Sequence, residues 1–140
     1  MASTAALYTP QVLALATGLA ALPLTDDLPL RGSARSPACG STLELGFGLD
    51  QAGRIGRVGV KAHACAIGQA AAAIFAGGCA GQEREGIAAT LGALEAWLAG
   101  QGGQPDWPGL DAIAAAQGFP GRHGAMLLPW KAALEALPTT

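Results

Sequence analysis

Alternation of apolar and polar residues predicts a β-hairpin in the second quarter of the chain. The first strand covers about 41–49, and its apolar positions are Leu43, Leu45, Phe47 and Leu49. Asp50-Gln51-Ala52-Gly53 follows, with Asp first and Gly fourth, as in a type I turn closed by a left-handed glycine. The chain then returns over about 54–62, with Val58, Val60 and Ala62 on one face. This pattern is typical of two antiparallel strands that bury one side.

The hairpin predicts that two cysteines lie close together at its open end. If Asp50 pairs with Gly53, Leu45 lies opposite Val58 and the two apolar faces agree. The same register puts Cys39 opposite Ala64, one residue from Cys65. Cross-strand neighbours are about 5 Å apart. The sequence therefore predicts two neighbouring thiols, which is the geometry of a metal or redox site.

Helical periodicity surrounds this hairpin. An amphipathic stripe of Tyr8, Val12, Leu15, Leu19 and Leu22 predicts a first helix over about 5–21. Residues 28–36 add a short edge strand. Further helices are predicted from just after Cys65 to Gly77-Gly78, and over about 84–99, 109–116 and 125–137. Pro129 is tolerated in the last helix if it lies in the first turn. A small antiparallel sheet of about three strands packed with helices is an α+β fold.

Composition and charge narrow the classes of function. The 140 residues predict one domain, 1–140, and the net charge of −2 with scattered Lys and Arg gives no argument for nucleic acid or an anionic membrane. The apolar stretch 11–24 is too short to span a bilayer, and no Lys or Arg precedes Arg31 as a signal peptide would require. We therefore expect a cytoplasmic protein. Three cysteines argue against a disulfide framework.

The cysteines differ in their expected roles. Cys65 lies at a predicted helix N-terminus, where backbone N–H groups and the helix dipole favour a thiolate. Cys39 lies in a Pro-Ala-Cys-Gly turn that leaves its side chain free to point into a site. Cys79 is at the far end of the same helix, roughly 20 Å away, and is expected to be structural. A Cys39–Cys65 disulfide and a structural role for each thiol are the alternatives. His63, two residues before Cys65, is a further candidate ligand.

Three segments resemble the iron–sulfur cluster scaffold proteins of the IscU/NifU/SufU type. Ser36-Pro37-Ala38-Cys39-Gly40 is similar to their N-P-x-C-G-D motif, and Ala64-Cys65-Ala66-Ile67-Gly68-Gln69-Ala70 is similar to their G-C-x-I-S-x-A segment. Phe119-Pro120-Gly121-Arg122 followed by Trp130 resembles the tail of the SufU branch. The three segments occur in the family's order over roughly residues 7 to 137. The resemblance implies the SufE/NifU (IscU-like) fold.

The chain departs from this family at two positions that matter for its chemistry. Ser41 stands where the family has an Asp, and Ala125 stands where it has a third cysteine. His123 precedes Ala125 by two residues, and the family topology would bring this loop to the cysteines. The resemblance therefore implies a metal set of Cys39, Cys65 and His123, with Arg122 either neutralising thiolates or simply solvated.

The resemblance implies a binding function rather than an enzyme. We expect an iron–sulfur cluster assembly scaffold that accepts sulfur from a cysteine desulfurase and binds iron or a transient cluster, [2Fe–2S], through Cys39 and Cys65, for delivery to Fe–S acceptor proteins. One alternative is a zinc-dependent sulfur acceptor of the SufU type, although zinc requires four protein ligands, or three protein ligands and a water molecule. Another is a degenerate relative that keeps the fold only to bind a partner.

Overall fold

The N-terminal helix is shorter than its apolar stripe suggested. In the computed structural model, which describes residues 4–139, 3₁₀ turns at Thr4–Leu7 and Leu19–Ala21 flank helix α1, Pro10–Gly18. The predicted helix over 5–21 was therefore too long. The reason is a local start signal: Thr9 is the N-cap and accepts a hydrogen bond from the Val12 N–H at 3.1 Å, and Pro10 occupies the first helical position.

Three antiparallel strands form the sheet, in the order β1 (Leu30–Arg35), β2 (Thr42–Leu49) and β3 (Ile55–His63). The predicted edge strand and hairpin are both present, and Pro37 lies outside the ladder. Since apolar side chains alternate on β2 and β3, one face of the sheet packs on the helices. The α+β prediction, with a small antiparallel sheet of three strands, is confirmed.

The register of the hairpin differs from the predicted one by two residues. Leu45 pairs with Val60, and Leu43 pairs with Ala62. Gly53 has φ +81°, as the turn prediction required. It forms a one-residue bulge, however, and the Asp50 N–H donates to the carbonyl of Arg54, not of Gly53, at 2.7 Å. A second irregularity follows, because Leu49 pairs with Ile55 and Gly48 with Arg57. Two single-residue bulges shift the ladder by two, and this shift keeps every side chain on its predicted face.

The remaining helices follow the predicted order. They are α2 (Ala66–Gly78), α3 (Arg84–Leu98) and α4 (His123–Ala136), with 3₁₀ segments at Leu110–Gly118 and Pro120–Arg122 before α4. The segment predicted as a helix over 109–116 is thus a 3₁₀ helix. The condition under which Pro129 would be tolerated, a place in the first turn of the last helix, is not met, because α4 begins two residues earlier than expected. Pro129 is the seventh residue of α4, where it removes the partner of the Ala125 carbonyl.

Four aromatic rings form the centre of the core. Phe75 on α2 stacks on Trp107 with ring centroids 5.5 Å apart, and it meets the edge of Trp130 at 5.3 Å. Phe47 of β2 completes the cluster at 6.2 Å from Phe75. The Trp107 indole N–H donates to the Ile74 carbonyl at 2.9 Å. This cluster joins sheet and helices, because its rings come from β2, α2, α4 and the loop before Leu110.

Glycines allow two close approaches around the sheet. A Cβ on Gly32 of β1 would lie 2.2 Å from the Ala132 carbonyl oxygen of α4, so only glycine lets the helix lie on this strand. On the opposite face of the sheet, a Cβ on Gly59 would lie 2.5 Å from the Pro23 carbonyl oxygen. There the chain after α1 crosses the sheet, and the Val60 N–H donates to the Leu22 carbonyl at 2.8 Å. The assignment of residues 1–140 to one domain stays a prediction.

Candidate functional site

Two of the predicted site cysteines line the same depression at the open end of the hairpin. Cys39 lies in the turn between β1 and β2, and Cys65 is the N-cap residue of α2. The depression has a volume of about 410 Å³ and is open to solvent, and its lining is Cys39, Gly40, Ser41, His63, Ala64, Cys65 and Arg122. Cys39 is exposed and Cys65 is partly buried, and both are free thiols. The structure thus brings together the two cysteines that the hairpin pattern predicted to be neighbours, although the predicted register was wrong.

Local backbone geometry explains why these residues meet. Gly40 has φ +73°, and its N–H donates to the Ser36 carbonyl at 2.8 Å, so the turn that carries Cys39 is tight. Gly124, at the start of α4, lies so close to this turn that a Cβ there would be 2.3 Å from the Ser36 hydroxyl oxygen. The beginning of α4 therefore packs against the Cys39 turn and brings Arg122 to the edge of the depression.

Neighbouring hydroxyl groups favour the thiolate form of Cys39. The hydroxyls of Ser36 and Ser41, and the backbone of Ser41, hold the pKa of the Cys39 thiol below its ordinary value, and the positive charge of Arg122 contributes less. The Cys39 Sγ is 3.2 Å from the Ser41 Oγ, and the Ser41 hydroxyl can donate to the sulfur once it is a thiolate. Ser36 Oγ is buried, and no hydrogen-bond partner of ordinary geometry for it lies in residues 4–139. Cys39 is therefore the more exposed thiol of the pair, and its surroundings favour the thiolate form.

Arg122 is held at the depression by a tyrosine. Its Nη2 donates to the Tyr8 hydroxyl at 3.3 Å, and this contact raises the pKa of Arg122, with smaller contributions from Cys65 and Cys39. The Nε of Arg122 is buried and has no partner among the described residues. The sequence analysis assigned Tyr8 only to the apolar stripe of the first helix. Tyr8 is the only residue of that stripe with a hydroxyl group, and this was the available signal that its side chain contacts a polar partner.

His123 lies outside this group. It begins α4, and its Nε2 is 2.7 Å from the Gln117 carbonyl oxygen. It does not line the depression, whereas His63 does. Ala125, at the position of the family's third cysteine, is fully buried. Within residues 4–139, no three His, Cys, Asp or Glu side chains are arranged to hold a metal ion. The metal roles predicted for Cys39, Cys65 and His123 stay predictions.

Cys79 has the opposite environment. It follows the last turn of α2, at the far end of the helix from Cys65, and only 1% of its surface is exposed. Burial raises the pKa of its thiol to about 12. A thiol that stays protonated and covered is chemically inert. Its position matches the structural role that the helix length predicted.

Solved structures share this architecture over nearly the whole chain. A NifU-like protein (N-terminal) from Brucella abortus superposes with a TM-score of 0.81 at 20% identity, over 93% of this chain and 91% of that one. A putative iron–sulfur cluster assembly scaffold protein for the SUF system from Fervidobacterium islandicum gives 0.82 at 20% identity, over 97% and 100%. This chain has the NifU/SufU scaffold fold. The fold that the three sequence segments implied is thereby confirmed.

Other comparisons add less. A crystal structure described only as a hypothetical protein superposes with a TM-score of 0.65 at 20% identity, over 89% of this chain. No family model and no curated protein sequence matches the chain. No helix among residues 4–139 is long and apolar enough to cross a membrane.

Proposed function

We propose that this protein serves in iron–sulfur cluster assembly, accepting sulfur from a cysteine desulfurase and holding iron or a transient [2Fe–2S] cluster through Cys39 and Cys65. One observation carries the proposal: on a scaffold fold, the two thiols share a depression with a cationic side chain, Arg122. Soft thiolates suit iron and sulfide, and a nearby guanidinium offsets their charge. The protein would work in the cytoplasm and pass its cargo to Fe–S acceptor proteins, without turning over a substrate alone.

Sulfur transfer to Cys39 requires no external electrons. The Cys39 thiolate attacks the outer sulfur of a persulfide on the desulfurase, a new S–S bond forms, and the desulfurase cysteine leaves as its thiolate. The lowered pKa of Cys39 supplies the attacking thiolate, and its exposure lets the donor sulfur approach. Arg122 remains beside the sulfur to balance the negative charge of the product persulfide. Cys65 faces the same depression and can receive iron or the sulfur next.

The zinc-dependent alternative has less support. Zinc requires four ligands, or three and a water, and the described residues offer no such group of three. The site of a single chain therefore does not fit a tightly bound zinc ion. In the partner-binding alternative the fold remains but the thiols have no role. Measuring persulfide formation and iron binding distinguishes this alternative from the proposal.

Persulfide formation tests the proposed function. The protein is incubated anaerobically with a cysteine desulfurase, pyridoxal phosphate and free cysteine, and its intact mass is measured. We expect the mass of one or more added sulfur atoms, lost in Cys39→Ser and retained in the matched control Cys79→Ser. If the folded wild type gains no sulfur and binds no iron, the partner-binding alternative replaces this proposal.

A further inference from the structure

The outer face of the sheet, which points away from the helices, is covered over only part of its length. Toward the hairpin turn, Gly46 and Gly59 lie beneath residues 22–28: a Cβ on Gly46 would be 2.6 Å from the Leu24 Cδ1, and one on Gly59 would be 2.6 Å from the Leu28 Cδ1. Toward the open end of the hairpin, the next rows carry longer polar side chains that are exposed or partly exposed. The sheet therefore has an uncovered polar half beside its covered half.

Six polar side chains line a groove on this uncovered half. Pairing across the strands places them in two neighbouring rows, which are Arg35, Thr42 and His63 in one and Ser33, Glu44 and Lys61 in the other. They border a volume of about 560 Å³, which we call the sheet-face groove. Arg35 and Lys61 stand on the two edge strands, and strand spacing puts their Cα atoms roughly 12 Å apart. Only His63 also lines the thiol depression.

Positive charge is concentrated on this face, although the net charge of the chain is −2. The three strands contain a single acidic residue, Glu44. They contain four of the eight Lys and Arg residues, and alternation along the strands directs all four to the outer face: Arg31, Arg35, Arg57 and Lys61. An electropositive face on a negatively charged protein attracts acidic partners.

The two cations of the groove have no carboxylate partner in the described part of the chain. Arg57 pairs with the Asp27 carboxylate at 2.7 Å, and this ion pair holds the covering segment on the sheet. Within residues 4–139, Arg35 and Lys61 form no ion pair, although Lys61 lies directly opposite Glu44 in the ladder. The positive charges that line the groove are thus available to a partner.

The shape and charge of the groove suit an extended acidic segment of another protein. The groove is shallow and open to solvent, whereas a pocket for a small ligand encloses most of that ligand. In an extended chain, acidic residues four positions apart point to one side and lie roughly 13 Å apart, close to the spacing of Arg35 and Lys61. Glu44 stands between these two cations and repels a third carboxylate. The same negative charge disfavours nucleic acid, whose phosphates form a continuous array.

We propose that the sheet-face groove docks an extended acidic segment of a partner protein, with Arg35 and Lys61 each binding one of two separated carboxylates and Glu44 excluding a carboxylate between them. The inference goes beyond the proposed function, because it concerns a surface outside the thiol depression and needs neither sulfur nor iron. Since His63 borders both the groove and the thiol depression, a segment docked in the groove lies beside the thiols.

An NMR titration of the ¹⁵N-labelled full chain tests this docking surface. The probe is a synthetic peptide with two glutamates four positions apart and neutral polar residues elsewhere, and its matched control has glutamine in place of both glutamates. We expect saturable shifts of amides in the two rows of the groove, at least about tenfold tighter binding of the glutamate peptide, and weaker binding in added salt. Equal binding of the two peptides, or shifts outside these rows, overturns the inference.

Charge variants locate the binding. Lys61→Glu and Arg35→Glu should each weaken binding of the glutamate peptide by about tenfold, whereas Glu44→Gln should strengthen it by about threefold. The matched control is Lys131→Glu on α4, which changes the net charge by the same amount at another exposed position and should leave binding within about twofold. Equal weakening by Lys61→Glu and Lys131→Glu would mean that net charge alone attracts the peptide, which overturns the inference. The exposed variants Lys61→Gln and Arg35→Gln repeat the measurement if a reversed charge impairs folding.

Two other occupants are excluded by the same titration. A ten-nucleotide single-stranded RNA and vesicles with anionic lipid replace the peptide, and we expect binding of both to be weaker than that of the glutamate peptide. Tighter binding of either one at the same amides overturns the assignment to an acidic protein segment. The titration contains no iron, sulfide or desulfurase, so its outcome is independent of whether Cys39 accepts sulfur.

Discussion

Helix α2 joins two cysteine environments that are chemical opposites. At its N-terminal end, Cys65 and the neighbouring Cys39 line an open depression, and two serine hydroxyls lower the pKa of Cys39. At its C-terminal end, Cys79 is covered, and burial raises its pKa to about 12. The same side chain is a candidate nucleophile at one end and a small apolar residue at the other. The hydroxyls and the solvent around a thiol therefore decide its chemistry, which a count of cysteines does not show.

The largest expected effect is on thiol alkylation. In the folded protein at pH 8, iodoacetamide should modify Cys39 at least about a thousandfold faster than Cys79, because the latter is both covered and protonated. Peptide mass spectrometry of samples quenched over time measures the two rates. In guanidinium chloride the rates should become similar, which serves as the control. Comparable rates in the native protein would remove the contrast between the two ends.

Truncation of the aromatic cluster should destabilise the protein without touching the thiol site. Phe75→Ala removes the ring that contacts Trp107, Trp130 and Phe47, and we expect a loss of about 3–5 kcal/mol in the free energy of unfolding. The matched control is Leu13→Ala on α1, whose side chain is 48% exposed and should cost less than about 0.5 kcal/mol. Guanidinium chloride melts measure both. A loss under about 1 kcal/mol for Phe75→Ala would contradict the central place of this ring.

Alkaline pH should weaken the fold through Cys79. The pKa of this thiol is about 12 in the folded state against a reference value of 9.0, so the unfolded chain loses the proton first as pH rises. Stability from this group is complete below pH 9.0 and declines toward pH 12, by about 2 kcal/mol at pH 10.5. Urea melts at pH 8 and 10.5 should show this decline in the wild type and a smaller one in Cys79→Ala. Equal declines would mean that Cys79 titrates normally.

The smallest effect concerns Ser41. Ser41→Ala removes a hydroxyl that favours the Cys39 thiolate, so the pH profile of Cys39 alkylation should move to higher pH. Because the folded-state pKa of Cys39 is lowered, the stabilising contribution of this contact is present at and above pH 9.0 and disappears as pH falls through the folded-state value. The stability cost at pH 7 should stay within about 1 kcal/mol. An unchanged alkylation profile would leave Ser36 and Arg122 as the relevant neighbours.

Sequence patterns predicted the fold and the cysteine pair because both depend on strong local signals. Alternation identified the buried face of the hairpin, and Cys65 was correctly placed at the start of α2. The register was wrong because bulges carry no periodic signal: a turn glycine and one extra residue of β3 shifted the pairing. The contact between Tyr8 and Arg122 joins residues 114 positions apart, and such pairs follow only from tertiary packing.

The hydrogen bond between Leu22, which follows α1, and Val60 of β3 has a consequence for synthesis on the ribosome. Residues 10–18 are made before the hairpin, and their partners in α2 are made at least 48 residues later, since α1 ends at Gly18 and α2 begins at Ala66. A nine-residue helix is marginal in water by itself. The N-terminal segment must therefore wait, unfolded and apolar, until the hairpin has emerged, and only then does Leu22 dock against Val60. During that interval the nascent chain exposes an apolar segment, so α1 joins the domain after the hairpin although it precedes the hairpin in the sequence.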